Sequence, residues 1–174
     1  MSVRPIKVRL ATNGDCALLP SIELSASRRF AEIGMDDVAG EPPPDAAAWE
    51  PHCASSNLWV SVDDQDRPFG FLAAGVHGHL LFLYQLAVEY DHQRHGVGHA
   101  LLAAAEGAAR ALGLHEVFLT TFCDVPFNAP YYERQGYRIV EDAGLPAALQ
   151  PVMDAERRRW TTPGRRRCAM RKVV

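Results

Sequence analysis

The stretch from Leu80 to Leu112 constrains this chain more than any other. It reads LLFLYQLAVEYDHQRHGVGHALLAAAEGAARAL: an apolar run with aromatic residues, a short polar turn, two glycines two apart, then an alanine- and leucine-rich pattern. That order predicts a strand, a tight loop and a helix. At Gln93-Arg94-His95-Gly96-Val97-Gly98 the backbone leaves the strand and begins the helix, so several N–H groups have no carbonyl partner and carry the positive end of the helix dipole. Gly96 and Gly98 have no Cβ to hold a ligand off, and Arg94 and His95 add positive potential. The expected guest is an anion the size of a pyrophosphate. An ordinary strand-to-helix turn, in which the glycines merely ease packing, is the bland alternative. The loop lacks the third glycine and the later acidic residue of a dinucleotide fingerprint, and the Lys-Ser/Thr pair of a nucleotide P-loop.

A chain of 174 residues, 48% of them hydrophobic, suffices for the core of one domain over residues 1–174. The net charge of −3 gives no reason to expect nucleic acid, and the basic tail from Arg157 to Lys172 reads as solvated charge flanking a last strand. Cys16, Cys53, Cys123 and Cys168 form no C-x-x-C pair, so reduced thiols in a cytoplasm are expected, with neither a metal site nor a disulfide framework. No apolar segment follows the basic N-terminal residues and no run of eighteen apolar residues occurs. Export and membrane association are therefore not expected.

Ile6 to Ala11 alternates as a half-buried outer strand, and a helical region reaches from about Asn13 to Gly34, divided or opened by Pro20, with Phe30 on its apolar face. Met35 to Asn57 is acidic and proline-rich, too irregular for core, with a brief helix over Ala46 to Trp49; acceptor specificity or a mere connector are its two readings. Strands over Leu58 to Val62, Phe69 to Val76 and Leu80 to Glu89 form an antiparallel meander ending on the glycine loop. The following helix presents Val97, Leu101, Ala104, Ala108, Ala111 and Leu112, and Gly113 stops it. Glu116 to Phe122 is then a strand parallel to the Leu80 strand. A short helix opening at Pro126 or Asn128 runs through Gln135, capped by Gly136, before a strand over Tyr137 to Val140. A last helical region over Leu145 to Trp160, a loop over Thr161 to Gly164 and a strand over Arg167 to Val174 complete the chain.

Two motifs carry a family resemblance. Leu86-Ala87-Val88 followed by Gln93-x-x-Gly96-x-Gly98, and then Asn128-Ala129-Pro130-Tyr131-Tyr132-Glu133-Arg134-Gln135-Gly136-Tyr137, resemble the two signature segments of the GNAT N-acetyltransferases, in the family's order. The resemblance is strongest from Leu80 to Tyr137, about a third of the chain. It implies an α/β (α+β) fold with a mixed central sheet of about six to seven strands flanked by helices, whose splayed central parallel strands bind acetyl-CoA. It also implies transfer of an acetyl group from acetyl-CoA to a primary amine by direct attack in a ternary complex, with no metal and no covalent intermediate at Cys123.

Carried over by position, the resemblance gives the main chain of Leu86, Ala87 and Val88 to the pantetheine arm, and Gln93, Arg94, His95, Gly96, Val97, Gly98 and His99 to the pyrophosphate. Asn128 would contact the cofactor near its pantetheine. The Tyr132 hydroxyl would lie near the sulfur as the acid for departing CoA, since a phenol with a pKa of about 10 can donate to a thiolate whose conjugate acid lies at about 8.5. Family members often carry Glu or His on the central strand where this chain has Phe82 and Tyr84. These two, with Phe30, are candidates for a partly apolar acceptor pocket. Gln85 and Glu89 lie on the opposite parity, and no general base is assigned. A small-molecule amine is the expected acceptor. A protein or peptide N-acetyltransferase and a non-catalytic acetyl-CoA sensor or partner domain are the alternatives. The last strand can pair within one subunit or across a homodimer.

Overall fold

The computed structural model describes residues 5–160 and 165–174, so the loop expected over Thr161 to Gly164 lies outside the described residues. Among the described residues there are seven strands: β1 (Lys7–Leu10), β2 (Leu58–Val62), β3 (Pro68–His77), β4 (Leu80–Val88), β5 (Glu116–Phe122), β6 (Arg138–Val140) and β7 (Arg167–Val173). Between them lie α1 (Leu19–Ala31), α2 (Asp36–Ala39), α3 (Glu50–Ala54), α4 (Val97–Ala111), α5 (Ala129–Arg134) and α6 (Gln150–Arg159). The strands pair in the order β1-β2-β3-β4-β5-β7-β6, a mixed sheet flanked by helices. Two compact units make up the chain, Met1–Gly75 with Gln85–Ala108, and Val76–Tyr84 with Ala109–Val174.

In the first unit β1, β2 and β3 run antiparallel, with Lys7 opposite Val62 and Leu58 opposite Ala73, and a bulge at Ser61/Val62. All five residues of β2 are buried. Of these, Leu58, Val60 and Val62 join Cys16, Leu19, Ile22, Phe71, Ala73 and Ala87 in one apolar cluster. Pro20 lies in the first turn of α1, where its missing N–H breaks no helical hydrogen bond. The segment from Met35 to Asn57 departs from the reading as too irregular for core. It holds α2, a 3-10 turn over Ala46–Ala48 and α3, and it buries Met35 and Trp49, the latter only 6% exposed and set edge-on to Phe71 at 5.2 Å. Single buried anchors in a polar stretch leave no periodic signal, which is why the sequence pattern misses them.

In the second unit β4 pairs parallel to β5 from Leu80–Glu116 to Leu83–Leu119. β7 pairs antiparallel to β5 over its whole length, from Glu116–Val173 to Phe122–Arg167, and to β6 from Arg138–Arg171 to Val140–Ala169. The last strand thus pairs inside its own chain. Leu80, Phe82, Phe118 and Leu149 form this unit's apolar cluster, flanked by Val140, Leu145 and Val152. The basic tail is held by acidic partners: Arg157 by Asp142 at 2.5 Å, Arg167 by Glu156 at 2.7 Å and Arg171 by Glu116 at 3.1 Å.

α4 is rotated from the expected face. Val97 and Leu101 are buried as expected, but they are joined by Leu102, Ala105, Glu106 and Ala109. Ala104 and Ala108 are only half-buried, Ala111 is exposed and Leu112 is 61% exposed. So many alanines give little contrast between faces, and the pattern does not fix the rotation. Gly113 ends the helix in the left-handed region at φ +72°, with the Leu114 N–H donating to Ala109 O at 2.9 Å.

Candidate functional site

In the first unit the residues following β4 fold into a tight loop that opens α4. After a 3-10 turn over Tyr90–His92, Arg94 (φ +64°) and Gly96 (φ +85°) both adopt left-handed backbone, flanking His95, and α4 begins at Val97. Ala100 N–H donates to Gly96 O at 3.0 Å, so the amides of Val97, Gly98 and His99 precede the first turn of hydrogen bonds. Arg94, His95, Gly96 and His99 are exposed and Gly98 is half-buried. A left-handed turn leading into a fifteen-residue helix gathers amides and dipole at one point, the arrangement that receives phosphate oxygens.

Side chains brace the loop. Gln93 Nε2 donates to Val88 O at 3.0 Å and to Ala26 O at 3.4 Å, tying the loop to the end of β4 and to α1. The Tyr90 N–H donates to Ser25 Oγ at 3.0 Å, its hydroxyl donates to Glu32, and the Arg28 guanidinium lies over its ring at 4.5 Å. Glu89 pairs with Arg67 at 3.3 Å and with His92 at 3.4 Å, and its N–H donates to Phe69 O. Both partners hold its carboxylate at the end of the strand. Phe30 is half-buried on α1.

β4 itself has an unusual profile for an inner strand. Leu80 to Leu83 and Ala87 to Val88 are buried, whereas Gln85 and Leu86 are half-buried and Tyr84 is 41% exposed. The strand is paired on both sides, yet it opens at its middle. Tyr84 is also the first residue past the last rung with β5, at Leu83–Leu119. The β4 main chain beyond that rung is not engaged by β5, which leaves groups on Leu86 to Val88 for other partners.

In the second unit Asn128 stands at the N-terminus of α5 with φ −114° and ψ −111°. Its carbonyl accepts from the N–H groups of Tyr131 and Tyr132 at 2.8 and 3.0 Å, while its side chain makes no capping bond. Tyr132 is half-buried, edge-on to Tyr131 at 5.2 Å and to Tyr137 at 5.8 Å. Nothing among the described residues hydrogen-bonds its hydroxyl. Burial, and then Tyr131, push its phenol well above the ordinary tyrosine range, against a smaller lowering by Arg167. Also in this unit, His77 Nε2 and the Tyr84 hydroxyl lie 2.5 Å apart beside Phe82. His77 reads in the sequence only as a turn residue. Cys123 is half-buried and Cys168 buried, and all four cysteines are free thiols. Among the described residues no three His, Cys, Asp or Glu side chains gather as a metal site, and no helix is long and apolar enough to cross a membrane.

Several solved structures share this fold. The PaiA N-acetyltransferase of Thermoplasma acidophilum, in complex with coenzyme A, matches with a TM-score of 0.70 at 16% identity over 98% of this chain and 99% of that one. The ribosomal-protein-S18-alanine N-acetyltransferase of Escherichia coli matches with a TM-score of 0.64 at 17% identity, over 98% and 94%. An N-acetylglutamate synthase of Neisseria gonorrhoeae, complexed with coenzyme A and N-acetyl-glutamate, gives 0.67 at 20% identity; the match covers 98% of this chain and 35% of that longer one. A sequence profile of the acetyltransferase (GNAT) family matches residues 26–137, nearly two thirds of the chain and both segments described above. With that match, the chain belongs to the GNAT acetyltransferases and is an acyltransferase.

Proposed function

We propose that this protein transfers the acetyl group of acetyl-CoA to the primary amine of a small molecule. The observation that carries the reading is the left-handed loop at Arg94 and Gly96 opening α4, which supplies backbone donors for a pyrophosphate. Gln93 to His99 hold that group through main-chain amides, with Arg94 and His95 adding charge. The main chain of Leu86, Ala87 and Val88 takes the pantetheine arm, an N–H there polarising the thioester carbonyl as charge develops on its oxygen. The Val88 carbonyl is already engaged by Gln93. Asn128 contributes its uncommitted side-chain amide.

The amine attacks the carbonyl carbon directly, so no nucleophilic side chain is required, and Tyr132 supports the departing sulfur through its hydroxyl. Tyr84, 41% exposed, is the acceptor-side residue of this reading, whereas Phe82 is 2% exposed and belongs to the core. Relatives of this fold include enzymes named for acetylating amino acids and a ribosomal protein, so acceptors of both sizes belong in the test.

Thermal melts with acetyl-CoA, CoA and longer acyl-CoAs, followed by thiol release against small amines and peptides with free N-termini, test the reading. A ligand at 100 times its Kd stabilises the native state by about 2.7 kcal/mol. Acetyl-CoA should raise the melting temperature, and one class of small amine should release thiol. Gly98→Glu, which sets a carboxylate in the phosphate loop, should weaken acetyl-CoA binding by about tenfold or more, the equivalent of about 1.4 kcal/mol. Release with peptides alone would make the protein a peptide acetyltransferase, and stabilisation without any release would make it a sensor. Absence of stabilisation by every CoA would remove the donor assignment.

A further inference from the structure

The four cysteines are scattered in the sequence, yet the fold sets them in two pairs, Cys16 with Cys53 and Cys123 with Cys168, each pair inside one unit. The second pair lies across the β5–β7 ladder. Cys168 faces Thr121, and the Cys123 N–H donates to Arg166 O at 2.9 Å, so these thiols stand on a diagonal between strands paired along their length. A diagonal of that kind holds its Cβ atoms roughly 7 Å apart, whereas a disulfide spans about 4 Å.

The first pair is built differently. Cys16 stands in the 3-10 turn over Asn13–Leu18, 1% exposed, with its Sγ 4.0 Å from Thr12 O. Cys53 stands half-buried in α3, and its thiol donates to Ala11 O at 3.3 Å. Both sulfurs are therefore anchored on consecutive carbonyls of the segment that leaves β1, and both pack in the apolar cluster of Leu19, Trp49 and Phe71. After burial, it is the charge and the side-chain hydrogen bond of Cys53 that push the Cys16 thiol up. The element that carries Cys53 lies outside the sheet. It is five residues long and ends at Ser56 with φ +57°, so it can shift to bring the sulfurs to a bond of about 2.05 Å without breaking a strand ladder.

We propose that Cys16 and Cys53 form a thiol–disulfide exchange site, whose co-reactant is a low-molecular-weight disulfide of the glutathione kind. Cys53 is the more accessible thiol and reacts first. It gives its proton to water, and its thiolate attacks one sulfur of the disulfide; a new S–S bond forms, the old one breaks, and one small thiol leaves with the electron pair and takes up a proton. The thiolate of Cys16 then attacks Cys53 Sγ, the mixed disulfide breaks, and the second small thiol leaves in the same way. Two protein thiols are oxidised to one disulfide, and one small disulfide is reduced to two thiols. The exchange requires no step of acetyl transfer.

The bond would close the stretch from Cys16 to Cys53, which carries α1 and α2. α1 in turn braces the residues that open the glycine loop, through Ser25 Oγ to the Tyr90 N–H at 3.0 Å and Ala26 O to Gln93 Nε2 at 3.4 Å. A cross-link between groups that the native fold already holds together restricts the unfolded chain more than the folded one, so oxidation stabilises the unit. By the same linkage, the folded chain takes the disulfide more readily than the unfolded chain does.

The test equilibrates the wild-type chain over a series of reduced-to-oxidised glutathione ratios, in buffer and in concentrated urea, then blocks free thiols with N-ethylmaleimide. Trypsin sites at Arg9, Arg28 and Arg29 release Cys16 and Cys53 on separate peptides, so mass spectrometry reads their linkage directly. The folded chain should carry the Cys16–Cys53 link at ratios about tenfold or more further to the reducing side than the chain in urea requires. The linked protein should melt about 5 °C or more above the reduced one. Cys53→Ser should lose both the linked peptides and that rise. A chain that takes glutathione on Cys53 yet never links it to Cys16, or one that links them no more readily folded than in urea, overturns the site.

Discussion

A phenol acts as an acid only while it keeps its proton, and burial beside Tyr131 holds the Tyr132 phenol far above the ordinary tyrosine range. That shift cuts two ways. The acid form persists into alkaline solution, but outright transfer to a thiolate becomes less favourable than for a phenol in water. In the proposed transfer, Tyr132 would therefore serve best by hydrogen-bonding the leaving sulfur. Tyr132→Phe should lower kcat by about 10²-fold while leaving acetyl-CoA binding unchanged, as single-turnover rates and thermal melts would read. Wild-type activity should show no loss between pH 9 and 10, because the raised phenol is still protonated there. The segment that holds Asn128 and Tyr132 is legible in the sequence as a motif ten residues long. The contact of His77 with Tyr84 is not, because the two lie seven positions apart across a turn and only folded side chains bring them together.

Elements were legible where punctuation is strong. The order of β4, glycine loop and α4 follows from a leucine-rich run, two glycines and a long alanine pattern, and Gly113 and Gly136 end their helices at φ +72° and +92°. Rotation about a helix axis was not legible for α4, since the buried Glu106 and Leu102 lie where alanines offer no contrast. Close backbone approaches were equally hidden. Gly70 of β3 reads as an ordinary strand glycine, yet a Cβ there would meet Ser61 Oγ at 2.7 Å and Ala87 O at 3.2 Å. The serine can turn aside but the β4 carbonyl belongs to the sheet. Gly70→Ala should therefore destabilise by about 1–3 kcal/mol, read as a lower urea midpoint. Because the displaced carbonyl is that of Ala87, acetyl-CoA affinity should fall as well. An unchanged midpoint would mean that β3 and β4 relax without penalty.

Over the whole molecule, pH acts on groups that the fold has moved from their ordinary ranges. Burial pushes the Asp15 carboxyl up, but the Arg9 guanidinium at 2.7 Å and the Thr12 N–H and hydroxyl outweigh it and hold it below the usual carboxylate range. Its folded pKa is depressed, so its contribution is present above the unfolded value and lost as pH falls through the folded one. At the alkaline end the signs reverse. Burial, then Cys123, push the Cys168 thiol up to about 12, and burial, then Cys53, push Cys16 up. These widely spaced cysteines become neighbours only in the fold, which no spacing rule could show. A raised folded pKa gives stability that is complete below the unfolded thiol value and lost as pH climbs toward the folded one. Above an ordinary thiol value of about 8.5, Cys168 alone should remove about 1.4 kcal/mol per pH unit, until its folded form ionises too. Urea midpoints under reducing conditions should thus be level from pH 6 to 8, fall below pH 4 and fall above pH 9. Cys168→Ala should flatten the alkaline fall and leave the acid one untouched, while Arg9→Gln, which removes the cause of the depressed Asp15 pKa, should flatten the acid fall and leave the alkaline one. If Cys168→Ala changes neither slope, the thiol is ionising as freely in the folded chain as in the unfolded one, and its burial beside Cys123 is not what resists high pH.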